Sequence, residues 1–312
     1  MTGKSFRQTL RTWMLPIAMA GGIIFHSHMH LIAPFSPYLI GIMLLITYCK
    51  LNPREMSLNR FSLVMLSVQL GGGVLLYVLL LPFNELLAQG AFICVFCPTA
   101  TAAPVITGML GGSITRLATF SLASNFSVAL LAPILFTWMG ADNYHQEIPL
   151  LNIAMQISFK VVPIILGPLL IALFLEYVSP RLHREIGSHQ GISFYVWAVS
   201  LFIVVGNAVS YVIGHLSSNP DEGTMMLELS LVSLFACCSQ FYIGRKLGGL
   251  QGDKVAGAQG LGQKNTVLAI WMSLTFLNPL TSVAPAAYVA WQNTINSLQL
   301  MHRARKIKTQ VQ

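Results

Sequence analysis

Two apolar stretches of this chain are interrupted by residues that break helices, and they lie about half a sequence apart. The first interruption is at 97–104, CPTATAAP, and the second is at 257–266, GAQGLGQKNT. Lipid offers no water to backbone groups that leave a helix, so irregular backbone at membrane depth occurs only inside protein or along a cavity. A pair of such segments in corresponding halves of a chain indicates the binding site of a secondary transporter.

The composition places the chain in a membrane. Hydrophobic residues make up 54% of its 312 residues and only 9% are charged, whereas soluble domains carry about 25% charged residues. The five cysteines mostly lie in apolar segments and are odd in number, so we expect buried thiols and no disulfide framework. We therefore predict an all-α integral membrane protein, with neither a cofactor nor a metal site.

Apolar windows of about 20 residues, long enough to cross a bilayer, recur along the whole chain. They predict ten transmembrane helices, near 13–28, 32–49, 62–82, 88–111, 115–139, 149–176, 192–216, 226–244, 253–277 and 281–301. The two interruptions fall in the fourth and ninth windows. Helices 4 and 9 are therefore predicted to be broken.

The positions of the charges predict the topology. All of the 18 lysines and arginines except Lys160 and Lys264 fall on one side of the ten windows. The opposite loops carry no lysine or arginine but five acidic residues, Glu85, Asp142, Glu147, Asp221 and Glu222. By the positive-inside rule, both termini are cytoplasmic. The net charge of +8 is then a signal of topology and not of nucleic-acid binding. Short loops with this bias are typical of a multi-pass protein of the bacterial inner membrane.

The two halves of the chain are weakly similar to each other. Leu15-Pro16-Ile17 followed by Gly21 is matched by Val162-Pro163-Ile164 followed by Gly167. Five helices per half is an odd number, so the second half must be inserted upside down, as in inverted-repeat transporters. We predict one membrane domain with a first repeat at about 12–140, a second at about 149–302 and a short basic cytoplasmic tail at 303–312.

These segments resemble the bile acid:sodium symporter (BASS) superfamily over most of the chain. Residues 97–104, with the small residues that follow to Gly112 and Ser113, are similar to the family's Cys-Pro-Gly-Gly-Thr-Ala-Ser-Asn segment. Residues 262–269, GQKNTVLA, are similar to its Glu-Val-Gly-x-Gln-Asn-Ser-Gly-Leu-Ala segment. The resemblance implies a panel domain of helices 1, 2, 6 and 7 and a core domain of helices 3–5 and 8–10. It also implies that helices 4 and 9 cross in the core and that the substrate is an organic anion.

The resemblance also implies two sodium sites, and this chain departs from the family at most of their positions. The aligned residues are Ala103 and Pro104 for a Ser-Asn pair of helix 4, Leu117 and Ser121 for hydroxyl-bearing residues of helix 5, and Gly260 and Lys264 for a Glu and a Gln of helix 9. Gln69 lies near the position of a third-helix glutamine. Sodium needs several hard oxygen ligands, preferably with a carboxylate. We therefore predict a sodium-independent protein, with sodium coupling through backbone carbonyls as the alternative.

The lysine at 264 replaces a sodium ligand with an ammonium group. A lysine at the bilayer centre costs roughly 2.5–3.5 kcal/mol, which indicates a polar cavity and a functional role. Two mechanisms stay open: a permanently charged Lys264 attracts an anion in uniport or exchange, or Lys264 binds and releases protons and couples transport to the proton gradient. A structural role, in which Lys264 bonds to unwound carbonyls as a fixed cation, is compatible with either.

Other polar residues complete the predicted site. Lys160 lies about 11 residues into the sixth span, roughly mid-membrane at 1.5 Å per residue. It is a candidate for binding a carboxylate if it faces the panel–core cleft. Otherwise it packs in a hydrated crevice or snorkels outward, which the distance to either interface makes hard. Helix N-termini freed by the breaks present N–H groups to an anion. The neutral candidates beside them either touch substrate or support the unwound backbone: Thr99, Thr101, Gln263, Asn265 and Thr266.

The predicted function is therefore secondary transport of a small organic anion by alternating access. The sequence contains no HExxH, no GxSxG and no pair of intramembrane aspartates, so an intramembrane hydrolase is a remote alternative and we predict no enzymatic activity. A channel is a second remote alternative, because broken helices also line pores. The expected partners are the anion and the lipid bilayer; the sequence names no protein partner.

Overall fold

The computed structural model describes residues 14, 17–50, 58–100, 103–139, 149–218 and 223–311. Within these ranges the chain is almost entirely helical, with one isolated β-bridge and no β-strand. Six of the described helical segments are long and apolar enough to cross a membrane: His26–Tyr48, Arg60–Leu80, Ile114–Met139, Leu150–Val178, Tyr195–Gly214 and Gly223–Leu250. Two shorter apolar helices accompany them, Glu85–Phe96 and Thr266–Phe276. The fold is all-α and has the helices expected of a membrane protein.

The helices are numbered here in chain order. The first are α1 (17–24), α2 (Met29–Ile32) and α3 (Ser36–Tyr48), joined by short 3₁₀ turns. They are followed by α4 (Arg60–Leu80), α5 (Glu85–Phe96), α6 (Ala103–Met109), α7 (Ile114–Met139), α8 (Leu150–Val178), α9 (Pro180–Ser188), α10 (Gln190–Ser218), α11 (Gly223–Leu250), α12 (Lys254–Gly262), α13 (Thr266–Phe276) and α14 (Val283–Val311).

Both predicted interruptions are present as broken helices. The window 88–111 consists of α5 and α6, and the window 253–277 consists of α12 and α13. α5 begins after Asn84, whose side chain accepts a hydrogen bond from the Leu87 N–H at 3.1 Å. α12 begins after Asp253, whose Oδ1 accepts from the N–H groups of Val255 and Ala256 at 3.1 and 2.8 Å. A side-chain cap of this kind satisfies N–H groups that a helix start leaves unpaired.

The helices depart from the predicted windows at three places. The segment between the first two windows, 29–31, is helical and belongs to α2. The second window itself is divided, because Pro34 and Pro37 each stand in the first turn of a new helical segment, where a missing N–H costs nothing. The loop expected between the sixth and seventh windows contains α9, which is too short and too polar for a 20-residue apolar window to detect. The last helix does not end with its apolar residues: α14 continues to Val311, through most of the predicted tail.

The helices pack in two groups. α3 packs against α8 and α10, and α4, α5, α7, α11, α12 and α14 form a second group; α8 also packs along α7 and so joins the two groups. The closest approach is between α11 and α12, where a Cβ added to Gly257 would collide with the backbone of Gly244 and Gly248. Glycine is therefore what allows the short helix α12 to lie directly on α11.

An aromatic cluster fixes the end of α5 within the second group. Phe92 and Phe96 stack with ring centroids 4.7 Å apart, and both meet Phe136 of α7 edge-on at 6.2 and 6.3 Å. Phe136 stacks in turn on Phe276 of α13 at 5.5 Å. Large buried rings make many contacts and pack in defined geometries, so the cluster holds parts of both broken helices, α5 and α13, against α7.

Candidate binding site at the crossing of the broken helices

Each broken helix ends where the sequence forces its backbone out of the helical conformation. α5 ends at Phe96 because Pro98 keeps the residue before it, Cys97, extended, with φ −53° and ψ 143°. α12 ends at Gly262, and Gln263 is extended with φ −97° and ψ 99°. Both helices thus stop in the interior of the protein and leave carbonyl groups without helical partners.

The two interruptions pair with each other. Thr99 and Lys264 form an antiparallel bridge. Two backbone hydrogen bonds complete it, from the Ala100 N–H to the Gln263 carbonyl at 2.9 Å and from the Asn265 N–H to the Pro98 carbonyl at 2.8 Å. The bridge therefore joins residues from opposite halves of the chain, and the broken helices meet at the point predicted from their sequences.

Gln69 of α4 satisfies two carbonyls at the end of α5. Its Nε2 donates to the carbonyls of Phe96 and Cys97 at 2.8 and 3.2 Å, and its Oε1 accepts from the Ser124 hydroxyl of α7 at 2.8 Å. Gln69 is fully buried. All of its described hydrogen bonds are to protein atoms, so here it supports the unwound backbone.

Hydroxyl groups do the same for the end of α12. Thr99 Oγ1 donates to the Gly260 carbonyl at 2.8 Å, and the Tyr288 hydroxyl of α14 donates to the Gly262 carbonyl at 2.9 Å. An unsatisfied carbonyl in a dry interior is costly. For Thr99, the structure therefore favours the supporting role over contact with substrate.

Lys264 is the ionisable residue at the centre of the site and is only 1% exposed. Its Nζ donates to the Val95 carbonyl at 2.7 Å, and its backbone N–H donates to Gln292 Oε1 of α14 at 2.9 Å. Val95 belongs to the last turn of α5, where the helix dipole places partial negative charge. In the described part of the chain, no Asp or Glu side chain pairs with Lys264. Lys264, which follows α12, thus caps the C-terminal end of α5 through its Nζ.

Three of the positions aligned with sodium ligands form an apolar cluster. Ala103 and Leu117 are fully buried and pack in one cluster with Phe120. A Cβ added to Gly260 would lie 3.0 Å from the Phe120 ring and 3.2 Å from a methyl group of Leu117. Hydrocarbon fills this space, and these three side chains offer no oxygen ligand to a cation.

The remaining predicted positions lie around this cluster. Pro104 stands in the first turn of α6 and is half-buried. Ser121 of α7 is buried, and its carbonyl accepts a hydrogen bond from the Asn125 amide at 2.8 Å. Thr101 lies outside the described residues.

Three neutral side chains around Lys264 keep polar atoms that have no hydrogen-bond partner. These atoms are Gln263 Oε1, Asn265 Nδ2 and Thr266 Oγ1, and each of the three residues is at most 2% exposed. The other atom of the Asn265 amide, Oδ1, caps α13 by accepting from the Leu268 N–H at 3.3 Å. Buried polar groups are nearly always bonded. These three atoms are therefore the candidates for contact with a ligand.

Lys160 lies apart from this group. It is exposed on α8, beside the buried residues Ile157 and Val161 that pack inward. Among the described residues, no hydrogen bond or ion pair joins Lys160 to the bridge. The structure therefore brings Lys264, Gln263, Asn265, Thr266 and Thr99 together and leaves Lys160 outside.

Sequence reasoning missed two residues that hold the site, Gln292 and Tyr288. Both lie on α14 and are almost fully buried. The signal available was a glutamine and a tyrosine within an apolar window, and a buried amide or hydroxyl in a membrane helix needs a partner. The sequence did not identify that partner.

Comparison with known proteins adds no family assignment. No family model matches the chain, and its sequence matches no curated protein. The resemblance to the bile acid:sodium symporter superfamily therefore stays a prediction.

Proposed function

We propose that this protein is a secondary transporter of a small organic anion, working by alternating access without sodium. The observation that carries the proposal is the position of Lys264. Its Nζ bonds to Val95 at the end of one broken helix, while its backbone is bridged to Thr99 between the two interruptions. A lysine side chain tied to that point places an ionisable nitrogen where the family's sodium-coupled members would hold a cation.

An inverted repeat of five helices in each half is part of the proposal. Buried amides recur at nearly constant spacing in the two halves: Gln69 with Gln240, Gln89 with Gln259, and Asn125 with Asn296. The capping residues of the two short helices, Asn84 and Asp253, recur at a similar spacing. This pairing matches α4 with α11, α5 with α12 and α7 with α14, as an inverted-repeat transporter requires.

The two packing groups supply the moving parts of the proposed mechanism. The group of α3, α8 and α10 corresponds to the panel, and the group that holds both broken helices corresponds to the core. In alternating access one group rocks against the other around a fixed site. Both termini are proposed to be cytoplasmic, in a bacterial inner membrane, on the basis of the charge distribution.

The proposed anion site combines neutral hydrogen-bonding groups with positive charge. Gln263, Asn265 and Thr266 keep unpaired polar atoms, and α13 begins at Thr266 with its N-terminal N–H groups close by. Lys160 is exposed on α8, in the group that would face the core from the other side. As the panel moves, Lys160 provides a second positive charge for a carboxylate.

The first test is thermal stability of the purified protein in sodium against choline at equal ionic strength. A ligand that binds only the folded protein stabilises it by RT ln(1 + [L]/Kd), about 2.7 kcal/mol at a hundred-fold excess over Kd. We expect equal unfolding temperatures. A higher unfolding temperature in sodium alone would return the protein to the sodium-coupled class, with carbonyl groups as ligands.

The second test distinguishes a carrier from the remote alternatives. Proteoliposomes are given labelled benzoate, succinate or taurocholate, with and without sodium. We expect saturable, sodium-independent uptake of at least one of these anions. Conductance that does not saturate would identify a channel, and hydrolysis of a probe ester in the bilayer would identify an enzyme.

A further inference from the structure

The hydrogen bonds of the Lys264 amine do not account for a charged group. A lysine ammonium has three N–H donors and no acceptor. The one oxygen described within reach of Nζ is the Val95 carbonyl, at 2.7 Å. The side chain is 1% exposed, so bulk solvent does not reach the amine in this geometry. A neutral amine needs fewer acceptors, and its lone pair can accept a hydrogen bond.

The groups that face Lys264 are thiols, not carboxylates. Cys94 of α5, Cys97 directly after α5 and Cys237 of α11 are its charged or titratable neighbours. Tyr288 of α14 also contacts Cys237, but its hydroxyl donates to Gly262. Thiols are weak donors and weak acceptors. None of the described neighbours therefore carries the negative charge that a buried ammonium requires.

The end of α5 does not replace that missing charge. The dipole of a helix offers a cation only part of an elementary charge, and α5 is 12 residues long. One carbonyl and one helix end offset a fraction of the cost of removing an ammonium from water. We call the crossing closed in this geometry, because Lys264 is only 1% exposed. In the closed crossing, the described neighbours satisfy the hydrogen bonds of a neutral amine but not those of an ammonium group.

We propose that the proton is the coupling ion and that Lys264 is its binding site. In the closed crossing Lys264 is neutral and donates to Val95. When the crossing opens to water, the amine takes up one proton and becomes an ammonium that pairs with the incoming anion. On the other side the anion and the proton leave together, and the neutral amine returns to Val95. This inference rests on the proposed function and selects one of its two coupling modes.

The direct test observes the Lys264 nitrogen in the wild-type protein. Protein labelled with ¹⁵Nζ-lysine is placed in detergent at pH 7, where amine and ammonium nitrogens give separate NMR signals. We expect one amine signal, which the Lys264→Met variant lacks and the Lys254→Met control keeps. Lys254 is exposed at the start of α12, so Lys254→Met makes the same replacement as Lys264→Met at a position outside the site. An ammonium signal for Lys264 at every pH from 6 to 9 would overturn the inference.

A second measurement uses the pH dependence of stability. An unfolded lysine is charged at pH 7, so a neutral Lys264 means that unfolding takes up a proton and that stability rises with pH. One proton changes the unfolding equilibrium constant up to ten-fold per pH unit. We expect the stability of Lys264→Met to rise less with pH between pH 6 and 9 than the stability of the wild-type protein. A slope identical to that of wild type would contradict the inference.

Transport separates this inference from the proposed function. In proteoliposomes with a pH-sensitive dye inside, the transported probe anion should enter together with protons, and Lys264→Met should lose the proton signal. Saturable anion uptake without any proton movement by the wild-type protein would overturn proton coupling and leave the carrier intact. Absence of uptake of every probe under every gradient would instead count against the proposed function, while the NMR result would still report on Lys264.

Discussion

At the scale of single residues, the interruptions are held by side chains that replace lost helical hydrogen bonds. Gln69 reaches the two carbonyls that follow the end of α5, and Gln292 holds the backbone N–H of Lys264. Thr99, Lys264 and Tyr288 cover further carbonyls. Most of the crossing is thus satisfied by protein atoms. The unpaired atoms of Gln263, Asn265 and Thr266 are among several buried unpaired atoms of the protein, and they are the ones beside Lys264.

The replacement Gln69→Leu tests the support of the first interruption. It leaves the carbonyls of Phe96 and Cys97 buried without these donors, and a buried unsatisfied group costs about 1–3 kcal/mol. We expect a lower unfolding temperature in detergent. Ser124→Ala, which removes only a donor to Gln69, should have a smaller effect. Equal losses in the two variants would show that Gln69 does not act through the carbonyls.

Lys160→Ala tests the proposed second charge on α8. Because Lys160 lies away from the crossing, we expect unchanged stability but a weaker apparent affinity for the transported anion, measured as a higher half-saturation concentration in proteoliposomes. Lys50→Ala, at the exposed end of α3, is the matched control and should transport like wild type. An affinity for the anion equal to that of wild type would place Lys160 outside the binding path.

At the scale of helices, the crossing depends on how closely the short helices approach the long ones. α12 lies on α11 because Gly257 faces Gly244 and Gly248 without a side chain between them. Asp253 starts α12, and its second carboxylate oxygen accepts from the Ser113 N–H of the α6–α7 linker at 2.6 Å. One residue therefore joins the beginnings of α12 and α7 on the same side of the core.

The pair Gly257→Ala and Gly71→Ala tests this close packing. A Cβ at Gly257 meets backbone that cannot move aside, and overpacking costs about 1–3 kcal/mol. Gly71 has no atom within 4 Å of the same added carbon, so its replacement should be neutral or should gain up to about 1 kcal/mol from helix propensity. We expect a lower unfolding temperature for Gly257→Ala and an unchanged or higher one for Gly71→Ala. Similar shifts in both variants would contradict the role given to Gly257.

The sequence predicted much of this architecture, and the failures have physical causes. Long apolar runs located α4, α7, α8, α10 and α11, and Pro98 with the glycines around 260 located both breaks. α9 was missed because a short polar helix has no apolar window. The hydrogen-bond partners of the Lys264, Gln292 and Tyr288 side chains were not predictable, because they depend on which helices face each other at the crossing.

At the scale of the whole molecule, charge distribution and packing lead to a testable orientation. In the sequence the basic residues fall on one side of the ten predicted windows, which predicts cytoplasmic termini. In the proposed topology both packing groups span the same bilayer, and relative movement between them would expose the crossing to one side or the other.

Labelling of single cysteines tests the orientation. Asp142→Cys should react with an impermeant maleimide from outside intact cells, whereas Lys306→Cys should react only in inverted vesicles. The background carries Cys238→Ser, because the other four native cysteines are buried. Labelling of Lys306→Cys from outside would reverse the predicted topology.

The bridge between Thr99 and Lys264 has a consequence for how the protein is made. The Val95 and Pro98 carbonyls and the Ala100 N–H find their partners only in the second half of the chain. During synthesis, the first half of the chain therefore lacks the hydrogen-bond partners of these groups until residues 263–265 are made. We expect the first half alone to be a substrate for quality-control proteases. Two halves synthesised as separate chains should each be short-lived, and should survive only when both are present in the same membrane.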